Sequence, residues 1–248
     1  MKRNVRDYYR DNPLMVSSPF GGVDGIDRDL LLQVFAGLDL DISGRNVLDV
    51  GCGRGYLGDL VREQGSDYTG VDFVQSRGGF RMALGDAPSL PFADAVFDLV
   101  CCIDAFEHFP DEAAAAGEFR RVLRPAGRVF LSVPNYANVA GVVKKACETV
   151  GWYRRDTWAP FRNWQPQEYE RALTGRSVRR AFQNAGFSRF RRVGHGPEVG
   201  LGLLPWMAHK RMPEAIRLRL ERFFVAVGPA IVRLWPGASL HAFWRIDL

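Results

Sequence analysis

Residues Val47-Leu48-Asp49-Val50-Gly51-Cys52-Gly53-Arg54-Gly55 set a short apolar run directly against three glycines at alternating positions, and Tyr56 to Gln64 then reads as a helix closed by Gly65. A strand, a tight glycine turn and a helix in that order form half of a βα unit, which commits the chain to a sheet with at least one parallel pair. Without Cβ atoms, Gly51, Gly53 and Gly55 let the backbone turn sharply and approach a ligand, and the helix N-terminus behind them favours a negative group such as a carboxylate. A dinucleotide fingerprint would place its third small residue where this chain has Tyr56, so the spacing argues against a pyrophosphate packed at the turn.

The alternation continues to Val133. Further strands are predicted at Tyr68 to Asp72, Phe80 to Leu84, Phe97 to Ile103 and Arg128 to Val133. A helix capped by Asp111 carries Ala115, Phe119, Val122 and Leu123 at helical spacing. Beyond lie a helix over Ser177 to Ala185, a sixth strand over Phe187 to Val193 and a seventh over His241 to Leu248. The expectation is a doubly wound, Rossmann-like α/β sheet in one domain of 248 residues. Its parts are an N-terminal helical segment (1–44), a core (45–135), a substrate-side elaboration (136–170), a helix and strand (171–195), an insertion (196–238) and the last strand (239–248).

Composition narrows the class. Apolar residues at 47% and charged residues at 25% are ordinary for a folded globule and exclude disorder. No apolar run reaches about eighteen residues, and Met1 to Arg10 is charged and tyrosine-containing, so neither a membrane span nor a secretion signal is expected. Cys52, Cys101, Cys102 and Cys147 show no metal-like pairing and read as reduced core thiols of a cytoplasmic protein. A net charge of +5 leaves nucleic acid, anionic lipid and acidic small molecules open as partners.

Asp72 ends the second strand 23 residues after Asp49, where an acid can accept both hydroxyls of a ribose. Asp86, in Gly85-Asp86-Ala87, ends the third, so the two acids and the glycine loop mark the carboxyl edge of three neighbouring strands. The loop, the stretch from Gly85-Asp86-Ala87 through Leu90-Pro91-Phe92-Ala93-Asp94-Ala95-Val96-Phe97-Asp98-Leu99-Val100, and Leu123-Arg124-Pro125-Ala126-Gly127-Arg128 together resemble the class I S-adenosylmethionine-dependent methyltransferases of type 11. The similarity is strong over 45–135 and looser over 170–195. It implies S-adenosylmethionine as cofactor and S-adenosylhomocysteine as product, on a seven-stranded sheet whose last strand runs antiparallel. It places Asp49, Gly51, Cys52, Gly53 and Gly55 at the methionine moiety, Asp72 at the ribose and Asp86 with Ala87 at the adenine. Tyr56 and Phe73 would flank the adenosine, and Asp104 would complete the cofactor side. Ala126 departs from the glycine usual before Gly127, at a turn remote from the cofactor.

Methyl transfer from a sulfonium is an in-line displacement, so positioning the acceptor and excluding water dominate, with a base only where the acceptor loses a proton. His108 is a candidate base, as is His195 in the glycine loop after strand six; a structural hydrogen bond is the alternative for each. Asp104, Glu107 and His108 are similar to a trio that in quinone-pathway O-methyltransferases can hold a divalent cation. Aspartate replaces glutamate at the first position and has a shorter reach, which counts against a metal. Asn135 and Tyr136 after strand five could touch the acceptor, and Trp152, Tyr153, Trp158, Phe161, Trp164 and Tyr169 could form a lid. Ile216 to Val232 mixes Arg217, Arg219 and Arg222 with Leu218, Leu220, Phe223, Phe224 and Val225, a pattern compatible with peripheral contact through 216–232 or with packing onto the domain. The function expected is methylation, through oxygen, of a small aromatic, quinone-like, lipid-like or secondary-metabolite acceptor. The alternatives are an RNA methyltransferase and a nonenzymatic cofactor-binding module. Nucleic acid is not expected, because no RNA-binding appendage and no Asn-Pro-Pro-Tyr-like element follows strand four.

Overall fold

The computed structural model describes residues 28–74, 79–150, 171–209 and 211–248. Strand β1 (Asn46–Val50) occupies the middle of a seven-stranded sheet, with β2 (Asp67–Asp72) and β3 (Met82–Leu84) on one side. On its other side lie β4 (Phe97–Ile103), β5 (Leu123–Pro134), β7 (His241–Asp247) and β6 (Arg189–Val193), giving the order β3-β2-β1-β4-β5-β7-β6. β7 pairs antiparallel with both neighbours and every other pair is parallel. This is the expected doubly wound, Rossmann-like architecture. The strands after β1 are laid down first on one side, as β2 and β3, and then on the other from β4 onward, so the strand order reverses at β1, the kind of switch point that opens a crevice at the strands' carboxyl ends.

Alternating side chains of the central strands feed two cores. Leu48, Val50, Val100 and Cys102 face α3 (Glu112–Val122) and α5 (Gly175–Asn184), where Phe119 and Phe182 are fully buried. Val47, Leu99, Cys101, Phe130 and Phe243 face α1 (Arg28–Gly37) and α2 (Leu57–Glu63). Burial on both faces explains why these strands read as nearly continuous apolar runs. Cys52, Cys101, Cys102 and Cys147 are all buried free thiols.

Several bounds differ from the sequence expectation for local reasons. β3 begins at Met82 because the Phe80 ring packs under Gly55 and edge-on to Tyr68 at 5.5 Å. α5 begins at Gly175, two residues early, because Thr174 and Ser177 form a capping box. β5 extends back to Leu123 across a register shift that contains Ala126 at φ 65°. Only residues from 28 onward of the N-terminal segment are described, and the candidate lid aromatics from Trp152 to Tyr169 lie outside the described residues; before them, α4 (Val139–Thr149) follows β5.

The 196–238 insertion has its own small core of Val199, Leu201, Met207, Phe224 and Ala238. It contains α6 (Val199–Leu203) and the long α7 (Glu214–Leu234). A Cβ on Gly228 would lie 2.0 Å from the Gly196 carbonyl oxygen, so α7 meets the 196–198 turn backbone to backbone. Among the described residues no helix is long and apolar enough to cross a membrane.

Candidate cofactor and acceptor site

The turns after β1 to β5 share one edge of the sheet, and antiparallel β7 starts at that same edge, with His241 opposite Pro134. In the loop after β1, Gly51, Gly53 and Gly55 all have positive φ (75°, 50° and 74°), a backbone region that costs other residues about 1 kcal/mol or more. Gly51 has a second reason to be glycine, since a Cβ there would sit 2.6 Å from that of Ala105. A Cβ at Gly53 would meet nothing within 4 Å, so the loop is open above that position.

Asp72 ties the loop to β2. Its carboxylate accepts the Gly53 N–H at 2.9 Å and the Val74 N–H at 3.1 Å. It makes no ion pair among the described residues, and burial raises its pKa. A desolvated carboxylate held by amides and lacking a cation is suited to accepting hydroxyl hydrogens, so the donor set fits the ribose of S-adenosylmethionine. Phe73 next to it is exposed, and Tyr56 stands half-buried where α2 begins. Asp86 turns the chain after β3, its carbonyl accepting the Ser89 N–H at 2.9 Å, with Ala87 buried behind it. Asp49 lies beneath the loop, 4% exposed, and accepts the Tyr68 hydroxyl at 2.7 Å. Burial raises its carboxyl to about 7, and Cys52 is buried with its thiol pushed up by the same cause. Both support the loop from below.

After β4, Asp104 is held at φ 47°, a strained conformation for a residue with a side chain. Its Oδ1 accepts the Ser132 hydroxyl at 2.6 Å, and its Oδ2 faces His241 Nε2 at 3.9 Å. His241 Nδ1 in turn donates to Glu198 Oε1 at 2.8 Å, and Glu198 Oε2 accepts the Ser239 hydroxyl at 2.8 Å and the His241 N–H at 3.0 Å. Glu198 is 1% exposed. Despite its burial, the carboxylates of Glu198 and Asp104 raise His241 to about 10, while Glu198 is held low by His241 and by the hydrogen bonds it accepts. The result is a relay of acid, imidazolium and acid, buried at one end and 45% exposed at Asp104.

Sequence reasoning singled out Asp104 as a cofactor-side acid and did not single out Glu198 or His241. They are separated by 43 residues and meet only through the β5–β7 register; the one available signal was that an antiparallel last strand must begin at the ligand edge. His108 and His195 are each 8% exposed. His108 lies beside Glu107 at 3.8 Å, and the His195 N–H donates to the Ser239 hydroxyl at 3.0 Å. Asp104, Glu107 and His108 do not converge, and no group of three His, Cys, Asp or Glu side chains among the described residues could hold a metal. Asn135 is turned inward, donating to the carbonyls of Gly237 and Ser239 at 2.8 and 2.9 Å, which clamps the chain ahead of β7. Tyr136 borders an open depression of about 560 Å³ along α4, lined also by Val142, Ala146, Val150 and Ala172 and by none of the glycine-loop residues.

A family model described as a methyltransferase domain matches residues 27–189. The chain is 35% identical over 142 residues to a ubiquinone biosynthesis O-methyltransferase of Idiomarina loihiensis, a match covering 50% of this chain and 58% of that protein. The chain thus spans little more than half the length of that relative. In structure it resembles a SAM-dependent methyltransferase from Archaeoglobus fulgidus, with a TM-score of 0.58, 17% identity and coverage of 97% and 99% of the two chains. It also resembles Haemonchus contortus phosphoethanolamine N-methyltransferase 2 in complex with S-adenosyl-L-methionine, with a TM-score of 0.60, 15% identity and coverage of 99% and 59%.

Proposed function

Because this chain belongs to the methyltransferase-domain family of class I S-adenosylmethionine-dependent enzymes, we propose that it transfers a methyl group to an oxygen of a small, lipid-soluble, quinone-like acceptor. S-adenosylmethionine supplies an electrophilic methyl group on a sulfonium. In this reading Gly51, Gly53 and Gly55 admit its methionyl end, Asp72 accepts its ribose hydroxyls, and Asp86 with Ala87 meets the adenine between Tyr56 and Phe73. Asp104 accepts the hydroxyl proton that becomes acidic as the new C–O bond forms. That role goes to Asp104 rather than to His108 or His195 because both imidazoles are 8% exposed while the Asp104 side chain is 45% exposed. Ser132 and His241 aim the carboxylate, and Glu198 keeps His241 charged.

The observation that carries the assignment is the bond between Asp72 and Gly53, which joins the glycine loop to the carboxylate on the neighbouring strand as one preformed unit. The acceptor class is supported by the ubiquinone-pathway name of the relative, and peripheral membrane contact through 216–232 suits an acceptor dissolved in lipid. Calorimetric titration with S-adenosylhomocysteine tests the cofactor, and transfer of labelled methyl to a panel of catechols and prenylated phenols tests the acceptor. Saturable binding and labelled ether products are expected. Absence of any heat with S-adenosylhomocysteine, or equal binding of a nicotinamide dinucleotide, rejects the proposal.

A further inference from the structure

Charge is spread unevenly along the chain. Residues 171–193 hold seven of its 33 basic residues, all arginine, and none of its 28 acids, so the net charge of +5 sits in one helix-and-strand unit and the remainder, at −2, is slightly acidic. Arg171 pairs with Glu112 and Arg191 with Asp39. On α5, Val178, Ala181 and Phe182 point into the core, and the helical period sets Arg176, Arg179, Arg180 and Gln183 within about 100° of one another on the opposite, exposed side. Arg120 of α3 adjoins the far end of α5, its Nε 3.6 Å from where a Cβ on Gly186 would lie, and Arg192 Nη1 lies 3.3 Å from the same position on Gly175 at the near end. Arg120, Arg176, Arg179, Arg180 and Arg192 make no ion pair with any described residue. Two of these guanidinium groups are held in place: Arg179 lies 5.1 Å from the Phe190 ring centre and 5.5 Å from that of Trp244, and Arg192 lies 5.5 Å from that of Trp244 as well. Burial and the charge of Arg179 lower the pKa of Arg192, whose Nε and Nη2 are buried without an acceptor. A negative group brought against this end of α5 would relieve that repulsion.

We propose that the outward side of α5, with Arg192 at one end and Arg120 at the other, docks the phosphate backbone of a nucleic-acid duplex. That side is about 15 Å long, a distance over which each strand of a duplex presents about four phosphates along its axis. The composition of the surface argues against other polyanions. Among the described residues, none of the exposed large apolar side chains belongs to α3, α5 or β6, and the rings of Phe190 and Trp244 are covered by arginines. A lipid surface holds a peripheral helix through apolar insertion together with charge, and a stable protein interface has an apolar centre. Phosphate contacts with a duplex draw their affinity from charge and need neither. The sequence carries no separate RNA-binding appendage, and this surface requires none, because packing of α5 against α3 and β6 gathers arginines that stand as far apart as 120 and 192. The inference goes beyond the proposed methyl transfer and does not rest on it.

The test is fluorescence anisotropy of a short labelled DNA duplex of mixed sequence, titrated with the whole chain over a range of salt. If Arg120, Arg176, Arg179 and Arg180 each neutralise one phosphate, log K falls against log salt with a slope of about −3.6, roughly 150-fold from about 50 to 200 mM. The triple variant R176Q, R179Q and R180Q leaves one of those contacts and brings the slope to about −0.9. A control variant, R219Q, R222Q and R233Q, makes the same change of net charge at exposed positions of α7 and keeps the wild-type slope. Glutamine is as good a helix former as arginine, so unchanged far-UV circular dichroism is expected in both variants. S-adenosylhomocysteine affinity is expected to be unchanged as well, which separates this surface from the cofactor assignment. No binding of the duplex by the wild type at the lower salt overturns the proposal, as does a slope that the α5 variant leaves intact. Equal loss in both variants overturns it by reducing the attraction to net charge. Binding of phosphatidylglycerol vesicles or of polyglutamate that the α5 variant abolishes, without binding of the duplex, also overturns it and assigns the arginines to a lipid surface or an acidic protein.

Discussion

Asp72 carries two loads: it bonds the glycine loop through Gly53, and in the proposed function it also receives the ribose. Asp72→Ala removes the acceptor for both ribose hydroxyls and is expected to weaken S-adenosylhomocysteine binding by roughly 1–3 kcal/mol, read by calorimetry. Asp72→Asn keeps an oxygen that can accept the Gly53 amide while losing the charge, so it should restore the loop and only part of the affinity. Equal affinity in all three proteins would remove Asp72 from the site. At Gly53 an added Cβ has open space, yet φ is 50°, so Gly53→Ala should cost about 1 kcal/mol of stability from backbone strain and reduce cofactor affinity by obstructing the loop's open side. These residues were legible in the sequence because their chemistry is local: glycines at a strand-to-helix turn and acids at strand ends need no tertiary knowledge. Glu198 and His241 were not, since nothing near either one in sequence distinguishes it from a surface residue.

At the scale of elements, the legible parts were those whose signal is periodic or fully buried. β4 was bounded from Phe97 to Ile103 by its apolar run alone, and α3 by Asp111, whose side chain accepts the Ala114 N–H at 2.9 Å. β3 was overestimated because an aromatic residue that looks strand-like, Phe80, serves as packing under the loop. The helix of the insertion was visible as an amphipathic pattern, but which of its sides met the protein required the glycine contact at 196 and 228. That insertion is bound to the sheet through the Glu198–His241 pair. Removing one member of a buried ion pair costs about 3–5 kcal/mol, and for a domain of this size each kcal/mol shifts Tm by about 2–4 °C. Glu198→Gln retains hydrogen-bonding atoms, so the low end applies: a fall in Tm of about 6–12 °C near neutral pH, measured by thermal circular dichroism. A shift under about 2 °C would show that the pair contributes specificity and no stability.

For the whole molecule, the same groups set how stability depends on pH. Asp49 titrates near 7 in the folded chain against an ordinary value of 3.8, so the native state holds a proton that the unfolded chain has released over that interval. Its contribution is complete below about pH 4 and is lost as pH rises through 7. His241 is raised from 6.5 to about 10, so its contribution is complete below 6.5 and is lost as pH rises through 10. Glu198, Asp41 and Glu118 are shifted down, and what they contribute is lost instead as pH falls below the ordinary carboxylate range. The two trends oppose each other, placing maximum stability of the cofactor-free chain on the acid side of neutrality, near about pH 5. Thermal denaturation at constant ionic strength is expected to show Tm falling from there to pH 10 in two overlapping steps. The upper step belongs to His241, so Glu198→Gln should flatten it, and the Tm gap between wild type and variant should narrow as pH approaches 10. A constant gap across that range would mean that Glu198 stabilises the turn through Ser239 and the backbone alone, leaving His241 without a charge to hold Asp104.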